Sequence, residues 1–338
     1  MNPADMRPLG RSGISVTRLG FGGAPLGDIF APMPEAQAQA TLEAAYDAGI
    51  RFFDTSPLYG HGLSEHRFGH MLRQKPPGAV LSTKVGRWLR PAPAGPVDRG
   101  WFAGGLSFEA VIDYSYDGTM RAVEGSLQRL GLPAVDVLLI HDVDVWTHGE
   151  EGYETHYRTA IAGAYRALDE LRRTGAVKAI GVGVNEIEPC LRFARDGDFD
   201  CLLLAGRYTL LEHAALDELL PTCERKGIGV ILGGPFNSGI LATGPVPGAR
   251  YNYKPAPPEV ADRVARIEAV CRRHRVPLAA AALQFPLWHP CVSSTIPGAV
   301  TPEEVAANVR LMQTPIPDAL WEELKGENLM PAAAPTRS

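Results

Sequence analysis

Apolar residues in this chain gather in short runs, separated by longer stretches in which they recur every three or four positions. The runs fall at 16–23, 51–56, 79–86, 135–142, 177–184, 201–206, 229–235 and 292–298, and they read as eight strands. Between them, segments such as 35–49, 120–131 and 165–175 have helical spacing, and the last two end on a Gly placed as a C-cap requires. Near-continuous apolar strands alternating with helices predict a parallel sheet covered on its outer face. Eight such units predict closure into a (β/α)8 TIM barrel, a single domain over 1–338. An open doubly wound sheet would want G-x-G-x-x-G between its first strand and helix, and "LGFGGAPLG" (19–27) does not have that spacing. Upstream, "MRPLGRSGISV" (6–16) predicts an N-terminal β-hairpin that plugs the barrel floor.

Two connections exceed ordinary loop length: 87–116 after the third strand and 236–258 after the seventh. Both leave the C-terminal ends of strands, where barrel enzymes carry their chemistry. Trp88, Arg90, Trp101 and Phe102 suit the walls of a small-molecule pocket, while the Pro-Ala-Gly stretch 91–96 also has the composition of a disordered insert.

Composition narrows the function classes. A net charge of −5 over 338 residues gives no basic footprint for nucleic acid. The five cysteines (190, 201, 223, 271, 291) are scattered without C-x-x-C spacing, which points to buried thiols in a reducing compartment. No secretory h-region opens the sequence and no apolar run reaches membrane-spanning length, so a cytoplasmic protein without a membrane partner is expected. Oligomeric state is not readable.

The candidate chemistry starts at "RFFDTSPLYGHG" (51–62), where a buried strand finishes on Asp54 and a loop then presents Tyr59. A buried carboxylate is costly unless paired. The neighbouring strands end in "STKVG" and "LLIHD", so Lys84 and His141 converge with Asp54 and Tyr59 at adjacent strand ends. Lys84 would pair with Asp54 and, as an ammonium near the phenol, lower the pKa of Tyr59. A tuned phenol and an imidazole at one oxygen are apparatus for proton transfer coupled to hydride transfer. His66 and His70, at helical i, i+4 spacing, could share a zinc ion, but a solvated helix face is the better reading and no metal is expected.

At these residues the chain resembles the aldo-keto reductases, nearly end to end. The resemblance is carried by "LGFGGAPLG" (19–27), "FFDTSPLYGHGLSE" (52–65), "LSTKVGR" (81–87), "VDVLLIHD" (135–142), "KAIGVGVNE" (178–186), "GPFNSGIL" (234–241) and "SSTIPGAVTPEEVAAN" (293–308). It implies that Asp54, Tyr59, Lys84 and His141 form the family's catalytic tetrad, with Tyr59 as proton donor or acceptor. It further implies a nicotinamide dinucleotide bound on the C-terminal face of the barrel. Gly22, Gly23 and Ala24 would lie by the nicotinamide, Asn185 would hold its carboxamide, and Tyr208 or Arg207 would contact the ring. Phe236, Asn237, Ser238, Gly239 and Leu241 would lie across the pyrophosphate, and Asn308 by the adenine. Where NADP-preferring members carry cations, this chain has Gly298 and Glu304; a carboxylate repels a 2′-phosphate and can accept from a free ribose hydroxyl, so NAD is expected.

Within the family, 113–131 and 140–149 resemble the subgroup of aldose 1-dehydrogenases (L-fucose or D-threo-aldose type), L-galactose dehydrogenase and pyridoxal 4-dehydrogenase. That subgroup oxidises a cyclic hemiacetal to a lactone. An aldose is placed first as the small-molecule substrate and pyridoxal second. Trp88, Trp101, Asp142, Trp146 and His148 are the candidate substrate contacts. A regulatory subunit that holds the cofactor without turnover, as related barrels do in potassium channels, is the alternative outside enzymes.

Overall fold

The computed structural model describes residues 1–92 and 97–336. The chain opens with an antiparallel hairpin, β1 (Met6–Pro8) against β2 (Ser15–Thr17). It then enters the barrel wall at β3 (Phe21–Gly22), β4 (Phe52–Asp54) and β5 (Val80–Val85). A second antiparallel hairpin follows, β6 (Arg87–Pro91) with β7 (Phe108–Ile112). The wall continues through β8 (Val137–His141), β9 (Ala179–Val184), β10 (Cys201–Ala205) and β11 (Gly229–Gly233). A short pair, β12 (Arg250–Tyr251) and β13 (Lys254–Pro255), precedes the last wall strand, β14 (Val292–Ile296).

The eight wall strands run parallel in the order β3, β4, β5, β8, β9, β10, β11, β14. Leu19 bridges to Thr295, and Gly20 N–H donates to Thr295 O at 2.9 Å, which joins the ends of the sheet. Along β8 the residues alternate: Val137 and Leu139 face an inner cluster with Phe52, Ala179, Cys201 and Ile231, while Leu138 and Ile140 join the larger cluster outside it. That two-sided burial is why the strands read as continuous apolar runs.

The first hairpin closes the floor. Its Leu9 and Val16 are fully buried in the inner cluster, and Ser293 Oγ donates to Pro8 O at 2.7 Å. Gly10 turns there with φ 55°, and a Cβ on it would lie 2.3 Å from Asp200 O. Only glycine fits.

Two expectations change. The run 16–23 is not one strand: Ser15–Thr17 belongs to the floor hairpin and only Phe21–Gly22 to the wall. Thr17 Oγ1 accepts from the N–H groups of Arg51 and Phe52 at 3.1 and 3.2 Å, which occupies the start of β4 before the ladder begins. The long connection after the third strand is mostly hairpin. Of its Pro-Ala-Gly stretch, residues 93–96 lie outside the described residues.

Candidate active site

Each member of the tetrad is held by the end of a wall strand or by the turn just above one. Asp54 is the last residue of β4, in register with Gly22 on one side and Ser82 on the other. Its carboxylate accepts from Lys84 Nζ at 2.7 Å and from Ser82 Oγ at 2.6 Å. Lys84, on β5, also donates to Thr55 O at 2.8 Å. Both ions are almost wholly buried, at 2% and 1% exposure. The pair is therefore a buried, hydrogen-bonded ion pair whose partners depend on each other. Lys84 Nζ stands 4.6 Å from the centroid of the Tyr59 ring, and His141 meets that ring edge-on with centroids 6.0 Å apart. Proximity at four separate chain positions is thus achieved by one end of one barrel.

The titration behaviour of these groups follows from burial. Burial pushes the Tyr59 phenol well above its ordinary value, with the Asp54 and Asp142 carboxylates acting in the same direction. This corrects the expectation that Lys84 depresses it. The ammonium is neutralised by Asp54 at 2.7 Å, and Arg87 is the cation that pulls the phenol down, without overcoming desolvation. Burial, then Lys84 and Arg87, hold His141 well below the usual imidazole range, so the ring is neutral.

A layer behind the tetrad orients it. Arg87 Nη1 donates to Asp142 Oδ2 at 2.9 Å, and both are largely buried. Tyr114 donates to the backbone oxygens of His141 and Asp142 at 2.8 and 3.1 Å. His148 lies beyond Tyr114, 3.0 Å from its hydroxyl and stacked on His156 at 3.9 Å. Burial and His156 bring its pKa down to about 4.

Two connected cavities open above this group. One, of about 120 Å³, is lined by Tyr59, Lys84, His141, Asp142 and Asn185 on its polar part and by Ile29, Leu58, Trp101, Phe102, Leu203 and Tyr253 elsewhere. The other is a cleft of about 310 Å³ that shares Tyr59, Ala24, Ile29, Leu203, Ala205 and Tyr253 with the first. It continues along Gly22 and Gly23 to Phe236, Ser238 and Gly239 on one side and Gly298 on the other. Trp101 and Tyr253, from the two long connections, stack at 4.5 Å and 13° and roof the junction. A further cavity of about 330 Å³ lies at the floor, between Arg7, Gly10, Cys223 and Pro290, and no tetrad residue lines it, so size alone does not locate the chemistry.

The family's sequence model, the Aldo/keto reductase family, matches residues 18–328. The chain belongs to the aldo-keto reductases. It is 45% identical over 341 aligned residues to a pyridoxal 4-dehydrogenase of Microbacterium luteolum, covering 98% of this chain and 99% of that protein. It is 40% identical to a D-threo-aldose 1-dehydrogenase of a Pseudomonas species, with 95% and 96% covered. An aldo-keto reductase of Bacillus halodurans in its holo form superposes with a TM-score of 0.75 over 98% of this chain and 97% of that one; at 24% identity this speaks for the fold.

Aldo-keto reductases use a nicotinamide cofactor, and the cleft fits an extended dinucleotide. A run of small residues lines it, Gly22, Gly23 and Ala24 on the Tyr59 side, then Gly233, Gly234 and Gly239, with Ile29, Leu203, Tyr253 and Ile296 among the larger side chains. Gly239 has φ 107° and nothing within 4 Å of where a Cβ would stand, so a side chain there would project into open space. Gly298 and Phe236 also line the cleft.

Several expected contacts lie elsewhere. Tyr208 is fully buried against Phe285 and His289 and lines neither cavity, because the chain turns inward after Arg207; Leu203 and Ala205 form the wall there instead. Leu241 is fully buried in the outer core. Asn237 is turned away from the cleft: its amide donates to Gly206 O at 3.0 Å and accepts from Thr209 Oγ1 at 2.6 Å, clamping the loop. Trp88 packs under Arg121 on the β6–β7 hairpin, 4.5 Å away, and His148 is screened from the cavity by Tyr114. Arg90 pairs with Glu109 at the surface. Asn308 lines a separate crevice with Ile50 and Val305. Glu304 caps the start of its helix: its own N–H donates to Oγ1 of the N-cap Thr301 at 3.2 Å, and its carboxylate accepts from the N–H of the preceding Val300 at 2.8 Å. Trp101, Asp142 and Asn185 do line the tetrad cavity, whereas Trp146 lines a separate small pocket with Asn185 and Arg207.

Tyr253, Ser56 and Arg87 were not among the expected site residues. Tyr253 lay in a connection already conspicuous for its length, and Arg87 closes the motif around Lys84, "LSTKVGR" (81–87). Ser56 carried no separate signal. No group of three or more His, Cys, Asp or Glu among the described residues is arranged to hold a metal ion, and His70 Nε2 lies 3.0 Å from Gln74 Nε2 in the turn that follows its helix.

Proposed function

We propose that this protein oxidises a cyclic hemiacetal to a lactone with NAD, and that the substrate is pyridoxal in its hemiacetal form. The observation that carries the choice of substrate is the lining of the tetrad cavity. Ile29, Leu58, Trp101, Phe102, Leu203 and Tyr253 offer apolar and aromatic surface to a planar ring, and of the five polar side chains Lys84 and Asp142 are already paired with Asp54 and Arg87. A polyol buried there would leave several hydroxyls without partners, at about 1–3 kcal/mol each. This reverses the order in which the sequence placed aldose and pyridoxal, and the relative at 45% identity points the same way. An aldose is the second reading, favoured by Asp142 and Asn185 as partners for ring hydroxyls.

When bound, the oxidised nicotinamide supplies the hydride acceptor for the hemiacetal carbon. The chain's own residues do the rest. Gly22, Gly23, Ala24 and Asn185 would hold the nicotinamide end, Phe236, Ser238 and Gly239 the pyrophosphate, and Gly298 the adenosine end, with the negative charge of the capping Glu304 carboxylate, bonded to Val300 N–H, close by. His141, neutral, hydrogen-bonds the reacting oxygen, and Tyr59 exchanges the proton with it. Lys84 and Asp54 fix the floor on which Tyr59 stands. The apolar roof of Trp101 and Tyr253 excludes water.

The deciding experiment is steady-state formation of reduced nicotinamide with pyridoxal, L-fucose, L-galactose and D-arabinose, each with NAD and with NADP. Pyridoxal with NAD is expected to be the best pair, with NAD ahead by about tenfold or more from charge repulsion at Glu304. Turnover of a sugar alone would transfer the reading to aldoses. Preference for NADP would show that Glu304 acts only as a helix cap.

A further inference from the structure

His141 ends β8, and each of its ring nitrogens faces one polar neighbour. Nδ1 lies 3.2 Å from Ser56 Oγ, and Nε2 lies 3.4 Å from Asp142 Oδ1. Ser56 is fully buried, two residues beyond Asp54, and its oxygen already accepts from Leu58 N–H at 3.1 Å. A hydroxyl has one proton to give, and among the described residues Nδ1 of His141 is the acceptor in reach of it. On the other side, Asp142 is anchored through Oδ2 by Arg87 at 2.9 Å and can only accept.

Three protonation forms of the ring are conceivable, and the neighbours separate them. With the proton on Nδ1, the Ser56 hydroxyl proton is left buried without an acceptor and the Nε2 lone pair faces a carboxylate oxygen; both are unfavourable. With both nitrogens protonated, a buried cation sits near Lys84 and Arg87, and burial together with those charges disfavours it. With the proton on Nε2, Ser56 donates to Nδ1 and Nε2–H faces the side of the cavity where Asp142 lies. The 3.4 Å separation from Asp142 exceeds the usual N–H···O length of about 2.7–3.2 Å. The Nε2 proton therefore stays available to an incoming oxygen.

We infer that Ser56 is a positioning residue that locks His141 in the tautomer carrying its proton on Nε2, with the Arg87-anchored carboxylate of Asp142 favouring the same form from the opposite side. The consequence for catalysis rests on the proposed role of His141 as hydrogen-bond donor to the reacting oxygen; the tautomer itself does not.

The test is a long-range proton–nitrogen correlation spectrum of the full chain labelled with 15N-histidine, the His141 signals being assigned by their loss in His141→Gln. His141 is expected to show a protonated Nε2 and an unprotonated Nδ1, and Ser56→Ala to move it towards a mixture of tautomers. In the same variant kcat should fall roughly tenfold with KM little changed, the rate equivalent of one net hydrogen bond. A proton on Nδ1 in the unsubstituted protein, or an unchanged tautomer in Ser56→Ala, would overturn the inference. Should Ser56→Ala not fold, Ser56→Cys, whose thiol is a weak donor, takes its place with the same expectation. If no hemiacetal is turned over, the spectrum still decides the role of Ser56, and only the proposed reaction falls.

Discussion

Tyr59 is half-buried at the junction of the two cavities, and its phenol is held in the protonated form by desolvation and two nearby carboxylates. Oxidation needs its conjugate base. A raised pKa means that the base fraction grows with pH throughout the range above neutrality, so kcat/KM for oxidation should climb towards alkaline pH, whereas reduction should be favoured as pH falls. A pH profile of oxidation that levels off below neutrality would count against Tyr59 as the proton acceptor. Tyr59→Phe should abolish turnover while cofactor affinity, measured by fluorescence titration, stays nearly intact; undiminished turnover would remove Tyr59 from the mechanism. Lys84→Met is a different kind of change, since it leaves the Asp54 carboxylate 2% exposed without its counter-charge. It should cost about 3–5 kcal/mol of stability as well as activity, read as a lower denaturation midpoint. The four positions could be read along the chain, because strand ends can be counted there. The sequence did not reveal the sign of the Tyr59 shift, which depends on how much protein surrounds the phenol and on Asp54 answering Lys84 first.

The elements that shape the pocket are the two long connections, and they meet through one stacked pair. Trp101 rises from the connection after β5 and Tyr253 from the one after β11, where Asn252 and Tyr253 both have left-handed backbone, at φ 48° and 64°. Two successive non-glycine residues in that region are held there by specific partners: Tyr253 N–H donates to Ser238 Oγ at 2.9 Å, and Asn252 Oδ1 accepts from Arg207 at 2.8 Å. Since Tyr253 borders both cavities, Tyr253→Ala should raise KM for substrate and cofactor together, by roughly tenfold for an aromatic pair worth about 0.5–1.5 kcal/mol plus its buried area. An effect on kcat alone would place Tyr253 outside the binding roof. The sequence marked both connections as unusual by length and aromatic content. It did not mark 87–91 and 108–112 as strands, because their pairing partners are each other and not the barrel, and their burial is only partial.

In the molecule as a whole, the floor hairpin and the joined ends of the wall close the barrel, and Asp54, Tyr59, Lys84 and His141 lie at one end of it beside the two connected cavities. The floor tolerates little change. Gly10→Ala would place a methyl group 2.3 Å from Asp200 O in a backbone conformation of φ 55°, and should destabilise by about 1–3 kcal/mol without altering KM. Equal thermal stability would mean that the hairpin can lift away from Asp200. The order of eight parallel strands, the plug beneath them and the convergence of Asp54, Tyr59, Lys84 and His141 were legible in the sequence alone. Each depends on local periodicity and on where strands end, and a right-handed parallel barrel leaves little freedom once those are set. Tertiary structure alone decided which neighbours of the motifs face the cavity. Tyr208 and Leu241 went to the core, Trp88 to the back of a hairpin and Glu304 to a helix cap, while Tyr253, Ser56 and Arg87 came to the site. Those outcomes turn on side-chain direction, loop path and partners far away in the chain, which a linear pattern does not encode.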